Sequence, residues 1–176
     1  MNNIDTSIKF VAINIGLITI SDSRVEEDDR SGNLLKDRIE NFGHIILKKI
    51  IIPDDIAQIK KTIIEFSVNP KIDAIITTGG TGLTGRDSTP EAILELAEKI
   101  INGFGELFRQ LSYEKIGTST IQSRAIGAVI NHTYIFSLPG SPGACKDGWD
   151  DILQYQLDIR HKPCNFIEIM PRLKEE

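Results

Sequence analysis

At 176 residues the chain has room for one ordinary domain with its own core, and 40% hydrophobic with 26% charged residues excludes collagen-like, disordered and membrane-inserted classes. A formal net charge of −5 argues against a general nucleic-acid surface, which needs a concentrated basic stripe, but leaves room for local basic pockets. The two cysteines, Cys145 and Cys164, are too few for a disulfide framework, no apolar run is long enough to span a bilayer, and the start MNNIDTSIKF lacks the features of a secretory signal, so a reducing, cytoplasmic setting is expected.

Phe10 to Ile20 is a nearly continuous apolar run rich in β-branched residues, which suits a strand covered on both faces. Ser21-Asp22-Ser23 ends it with turn chemistry, and Val25 to Arg30 reads as an acidic, solvated stretch. Ser31 is the expected cap of a helix in which Leu34, Leu35, Ile39 and Phe42 recur at helical spacing, with Gly43 as the stop. The pattern repeats with a strand over His44 to Ile52, a turn at Pro53-Asp54-Asp55, and a helix carrying Ile56, Ile59, Ile63 and Phe66. Asp73 to Thr78 is a third strand, and Pro90 to Ile101 a helix with proline at its start. Alternation of this kind predicts an α/β fold: a three-layer, doubly wound, mostly parallel sheet with helices on both faces and function beyond the carboxyl ends of the strands.

The second half is less regular. A helix is expected from about Gly105 to Tyr113, an apolar stretch from Ala125 to Ile130, a strand over His132 to Leu138, and a helix over Ala144 to Ile159 with Trp149 available for packing. One domain over residues 1–170 is expected, with 171–176 as a flexible tail.

The loop after the third strand carries glycines at 79, 80, 82 and 85, whose backbone can approach a ligand closely and point its N–H groups at an anion. Its spacing matches neither G-x-G-x-x-G nor a P-loop, so a plain structural turn is an equal reading of the glycines alone. Arg86 and Asp87 inside the loop sharpen the functional one. A carboxylate beside phosphate-binding amides calls for a cation such as Mg²⁺, and Asp54, at the end of the preceding strand, opens onto the same sheet edge. The alternative is that Asp54 caps a helix and Asp87 pairs with Arg86. Gly117 to Arg124 gathers four hydroxyls, Ser119 and Ser123 among them, with the Arg124 guanidinium; these suit a phosphate or polar heterocycle, or merely cap helices. His44, His132 and His161 are isolated, and Ser141 lacks the Gly-x-Ser-x-Gly setting of a hydrolase elbow.

Three segments together resemble the molybdopterin-binding domain of the MoaB/MogA family: TTGGTGLTGRDSTPEAI at 77–93, GTSTIQSRAIGAVI at 117–130, and SLPGSPGACKDGWDDIL at 137–153. The resemblance covers essentially the whole chain. It implies a molybdopterin adenylyltransferase that joins molybdopterin to the adenylyl group of MgATP and releases pyrophosphate, with ATP and molybdopterin as substrates and Mg²⁺ as cofactor. Asp54 and Asp87 correspond to the family's essential acidic residues, as catalytic and metal-holding groups, and Ser123 to the serine of its pterin-site Ser-Arg motif. Gly79, Gly80, Thr81, Gly82, Arg86, Ser119, Ser123, Arg124, Pro139, Gly140 and Ser141 form the expected substrate-binding set. The family further implies a homotrimer or homohexamer, with other cofactor-biosynthesis proteins as partners. A non-catalytic pterin-binding or scaffold protein is the principal rival reading. A nucleotide-binding regulator is a weaker one, fitting the glycine loop but not all three segments.

Overall fold

The computed structural model describes residues 3–175. In chain order it contains β1 (Asn3–Ile4), β2 (Asn14–Ile20), α1 (Arg30–Phe42), β3 (Ile45–Ile52), α2 (Ile56–Ser67), β4 (Ala74–Thr78), α3 (Thr89–Leu96), β5 (Lys99–Ile100) and α4 (Asn102–Ile116). A 3-10 turn (Gly117–Gln122) leads to β6 (Ile126–Ile130) and β7 (Thr133–Leu138). The helix α5 (Pro142–Gly148) then passes through a wide π turn (Trp149–Leu153) into α6 (Gln154–Gln156), before β8 (His161–Lys162), α7 (Phe166–Ile169) and a closing 3-10 turn (Met170–Lys174).

The main sheet has six strands in the order β3-β2-β4-β7-β6-β5, and β1 pairs with β8 as a separate ribbon. β3, β2, β4 and β7 run parallel, while β6 runs antiparallel to both its neighbours, β7 and β5, so the sheet is mixed with a parallel heart. Side chains alternate across each strand, which divides the apolar residues between two cores. Ile15 and Leu17 of β2, Ile76 of β4 and Phe136 of β7 face α1, α4 and the π turn through Leu35, Ile39, Phe108 and Trp149. On the other side, Ile18, Ile20, Ile75 and Ile135 meet Ile59, Ile63 and Phe66 of α2 and Ile93 of α3. Each fully buried side chain of this size is worth about 1.5–3 kcal/mol against exposure. The three-layer, doubly wound expectation therefore holds, with Trp149 and Cys145 in the core.

Several boundaries differ from the sequence reading for identifiable reasons. The helix expected over Pro90 to Ile101 ends at Leu96, because the Glu98 and Ile101 amides donate to the Val129 and Gly127 carbonyls at 2.9 and 2.7 Å and draw this segment onto the sheet edge. α4 starts at Asn102, ahead of Gly105, and continues to Ile116. The cap of α1 is Asp29 rather than Ser31: its carboxylate accepts from the Gly32 amide at 2.9 Å, so the supposedly solvated acidic stretch ends in a fully buried charge. Pro171 to Lys174, expected as a flexible tail, lie in the closing 3-10 turn, with Leu173 packed against the core; Glu176 lies outside the described residues. Among the described residues, no helix is long and apolar enough to cross a membrane.

Candidate active site

In a parallel sheet the carboxyl ends of the strands share one edge, so the loops after β3, β2, β4 and β7 converge. Residues 54, 21–24, 79–82, 86, 87 and 139–141 from these loops, joined by Gln122 and Ser123 of the 3-10 turn, line a cavity of ≈ 580 Å³. Of the sequence-predicted set, Asp54, Gly79, Gly80, Thr81, Gly82, Arg86, Asp87, Ser123, Pro139, Gly140 and Ser141 all lie on this wall.

The glycine loop needs its glycines for geometry. Gly79 and Gly80 have φ of 100° and 62°, in the region L side chains avoid. A Cβ on Gly80 would sit 2.7 Å from Asp54 Oδ2, and one on Gly82 would sit 2.6 Å from Asp87 Oδ2, so both carboxylates lie directly against glycine backbone. Gly140 leaves room for the neighbouring loop, since a Cβ there would approach Gly79 Cα to 3.2 Å. Thr89 Oγ1 donates to the Gly79 carbonyl at 3.1 Å and Thr78 Oγ1 to the Pro139 carbonyl at 3.0 Å, tying the two loops down from below.

Neither bland reading of the acidic pair survives. Asp55, not Asp54, caps α2 by accepting from the Gln58 amide at 2.9 Å. Asp54 is buried, and its Oδ1 accepts from the amide and hydroxyl of Ser88 at 3.3 and 3.1 Å. The positive end of α3 is thus turned toward the Asp54 carboxylate. Burial raises the Asp54 pKa above the ordinary carboxylate value; the Ser88 hydrogen bonds oppose this, and the charges of Asp87 and Asp22 add to it. Asp87 is the opposite case. Its Oδ2 accepts from the Thr84 hydroxyl and amide at 2.6 and 2.9 Å, bonds that hold its pKa below the usual range and its charge in place.

Arg86 pairs not with Asp87 but with Asp22, through contacts of 2.8 to 3.1 Å. Asp22 in turn accepts from the Asp54 amide at 3.0 Å, linking three loops. Asp22, expected only as a turn residue, and Arg24, not singled out in the sequence, both line the cavity. They follow β2, which lies between β3 and β4, so any polar residue just beyond it falls on the functional edge; that topological position was the available signal.

Two expected binding residues sit elsewhere. Arg124 lies behind the glycine loop: Nε donates to the Thr81 carbonyl at 3.2 Å, Nη2 to the Asp87 carbonyl at 3.0 Å, and Nη1 meets Glu91. Its guanidinium braces the loop instead of facing the cavity. Ser119 lies on an adjoining cavity of ≈ 310 Å³, with Phe108, Ile116 and Ala144, that shares Gln122, Ser123, Pro139 and Ser141 with the larger one. Ser141 also caps α5, accepting from the Ala144 amide at 3.3 Å.

For a divalent cation, the donor set is sparse but suitable. Among the described residues, no group of three or more His, Cys, Asp or Glu side chains is arranged to hold a metal. Asp54 and Asp87 are the carboxylates set against the glycine backbone, and the unfavourable charge between them is what a cation would relieve. Mg²⁺ accepts such sites because it keeps waters and substrate phosphates as its other ligands.

Comparison with known proteins identifies the family. A family model described as "Probable molybdopterin binding domain" matches residues 16–159, a span that includes every candidate residue. Molybdenum cofactor biosynthesis protein B of Escherichia coli (strain K12) is 43% identical over 169 residues, covering 96% of this chain and 98% of its own. The protein of that name from Bacillus subtilis (strain 168) is 44% identical over 131 residues, covering 74% and 77%. A solved structure of molybdenum cofactor biosynthesis protein B superposes with a TM-score of 0.84 at 36% identity, covering 94% of this chain and 98% of its own. The tungsten cofactor synthesizing protein MoaB from Pyrococcus furiosus gives 0.72 at 37%, covering 80% and 90%. With this coverage and identity, the chain belongs to the molybdopterin-binding domain family of the molybdenum cofactor biosynthesis proteins.

Proposed function

We propose that the chain is a molybdopterin adenylyltransferase. The observation that carries this reading is the pairing of Asp54 and Asp87 against the backbone of Gly80 and Gly82 on one cavity wall, beside Arg86 and Arg24. In the proposed reaction a terminal phosphate oxygen of molybdopterin attacks the α-phosphorus of ATP. The new P–O bond forms as the bond from the α-phosphorus to the bridging oxygen breaks, and its electron pair leaves with pyrophosphate. Bound Mg²⁺ would offset the negative charge of the phosphates.

The chain's own groups hold the partners in line. The amides of the glycine loop and the Ser123 hydroxyl can hydrogen-bond phosphate oxygens, and Asp54 and Asp87 would hold the metal. Arg86 is available to the leaving group: its side chain is 68% exposed and that of Asp22 45%, so their ion pair is screened by solvent and can be exchanged for phosphate. The smaller, more apolar cavity beside Pro139 suits a heterocycle. Exposed apolar residues of the second half, among them Leu94, Ile100, Leu107 and Ile121, support assembly into a homotrimer or homohexamer, which light scattering on the purified protein would count.

The reading is tested by adding molybdopterin to the protein with MgATP and following pyrophosphate. Release that requires the pterin is expected. Pterin binding without release would select the rival, a non-catalytic binding protein.

A further inference from the structure

The cavity wall is divided by charge. Its three carboxylates, Asp22, Asp54 and Asp87, come from the loops after β2, β3 and β4, while the remaining part, formed by Gln122, Ser123, Pro139, Gly140 and Ser141, contributes none. Arg24 belongs to that second part, because its Nη2 donates to the Gly140 carbonyl at 2.9 Å. The Ser31 hydroxyl holds the same carbonyl at 2.7 Å. Asp147, on the adjoining cavity, is paired with Lys115 at 2.6 Å.

Arg24 is anchored from below by a buried ion cluster. Asp29 has no exposed side-chain surface; it accepts from Thr19 Oγ1 at 2.7 Å and from the Gly32 amide at 2.9 Å, and meets Lys49 Nζ at 3.1 Å. Arg24 Nη1 lies 3.6 Å from Asp29, close enough to be attracted but beyond a hydrogen bond. The carboxylate is therefore largely committed to Lys49 and the α1 amide. The Arg24 guanidinium is held in position with most of its five donors unspent, and its side chain is 28% exposed at the cavity. Arg86 differs, being neutralised by a two-pronged bond to Asp22 at the surface.

A phosphate that shares a metal with carboxylates belongs on the acidic side. A phosphomonoester without a metal needs a direct cation and belongs on the other. We infer that Arg24 is the residue that binds the phosphomonoester of the acceptor substrate, and that Asp29 and Lys49 are positioning residues that aim it. This rests on the proposed transferase reading and adds to it the group that selects a phosphorylated acceptor over its dephosphorylated form.

The test measures binding of MgATP and of molybdopterin separately, by calorimetry and by steady-state KM, on the full chain. Arg24→Gln should weaken molybdopterin by about ten- to hundred-fold while leaving MgATP within twofold, and Arg24→Lys should recover part of the loss. Lys49→Met leaves the buried Asp29 carboxylate without its cation and lowers thermal stability whatever its role, so the kinetics decide: the molybdopterin KM should rise with kcat and the MgATP KM unchanged, and Lys49→Arg should restore it, whereas a merely structural lysine would leave the molybdopterin KM unmoved. Molybdopterin binding unaffected by Arg24→Gln, or an equal loss for MgATP, overturns the inference. If the unaltered protein binds both ligands while Arg24→Gln changes neither, only this inference fails. If the unaltered protein binds neither, the transferase reading fails with it.

Discussion

Alanine at Gly80 would perturb the site through geometry alone. The native φ of 62° costs an L residue about 1–2 kcal/mol. The added Cβ would lie 2.3 Å from Thr89 Oγ1 and 2.7 Å from Asp54 Oδ2, so the threonine must give up its bond to the Gly79 carbonyl, worth about 0.5–1.5 kcal/mol, and the carboxylate must move. The combined destabilisation is about 1.5–3.5 kcal/mol, small enough for a domain whose stability is typically about 5–15 kcal/mol to stay folded. Activity should suffer far more, because misplacing a reacting group by about 1 Å costs on the order of a hundred-fold. Urea unfolding and pterin-dependent pyrophosphate release, measured on Gly80→Ala and on Gly85→Ala, separate the two effects. A Cβ on Gly85 meets nothing within 4 Å, so that variant should match the parent in both assays. Full turnover by Gly80→Ala would refute the claim that this glycine sets the Asp54 carboxylate.

Other outcomes follow from the same geometry. Asp87→Asn should abolish turnover while the thermal transition stays close to that of the parent, because the amide oxygen can still accept from Thr84; retained turnover would remove Asp87 from the reaction. The Asp54 carboxyl, raised mainly by burial and further by Asp87 and Asp22, should set an acid limb of the kcat/KM profile that lies higher than a free aspartate would give. Asp22→Asn removes one of those charges, so the limb should move to lower pH, and a limb that stays put or rises would contradict the assignment. His44 is buried with its pKa pushed down to about 4 from 6.5, chiefly by desolvation and partly opposed by Asp158. Its folded state takes up a proton less readily than the unfolded chain, so its contribution is complete above about pH 6.5 and is lost as pH falls toward 4, by about 2–3 kcal/mol. Urea unfolding of His44→Gln at pH 7 and pH 4 should show a drop in stability smaller by that amount than the parent's; an equal drop would place the acid sensitivity elsewhere.

Much of the architecture was legible because its signals are local. The β-branched runs ending at Ile20, Ile52 and Thr78 are strands, Gly43 closes α1 at a φ of 110°, and the helices fall between them with the expected faces inward save for Ile56, which is exposed. The elements that sequence periodicity missed are held by tertiary bonds. Lys99 and Ile100 continue a helical pattern yet pair with β6, because free amides and carbonyls on that edge compete for the same backbone. In the site, the glycine loop with Asp87, and Asp54 after the neighbouring strand, could be found from residue type, but the partners could not. Arg86 stands next to Asp87 in sequence and bonds Asp22, and Arg124 points away from the cavity its neighbour Ser123 lines. Sequence proximity does not carry side-chain direction. Asp29 looked like one more surface acid because nothing in its neighbours announces that Lys49, on a strand across the sheet, would neutralise it.

The central claim is that this cavity joins a pterin phosphate to the α-phosphorus of ATP. It is tested most directly by following a radiolabel placed on the α-phosphate, in parallel with one on the γ-phosphate, through a single turnover with molybdopterin and Mg²⁺. The α-label should appear in the pterin product and the γ-label in free pyrophosphate, in equal amounts. An α-label that remains in ATP or free nucleotide, or a γ-label that enters the pterin, would contradict the account.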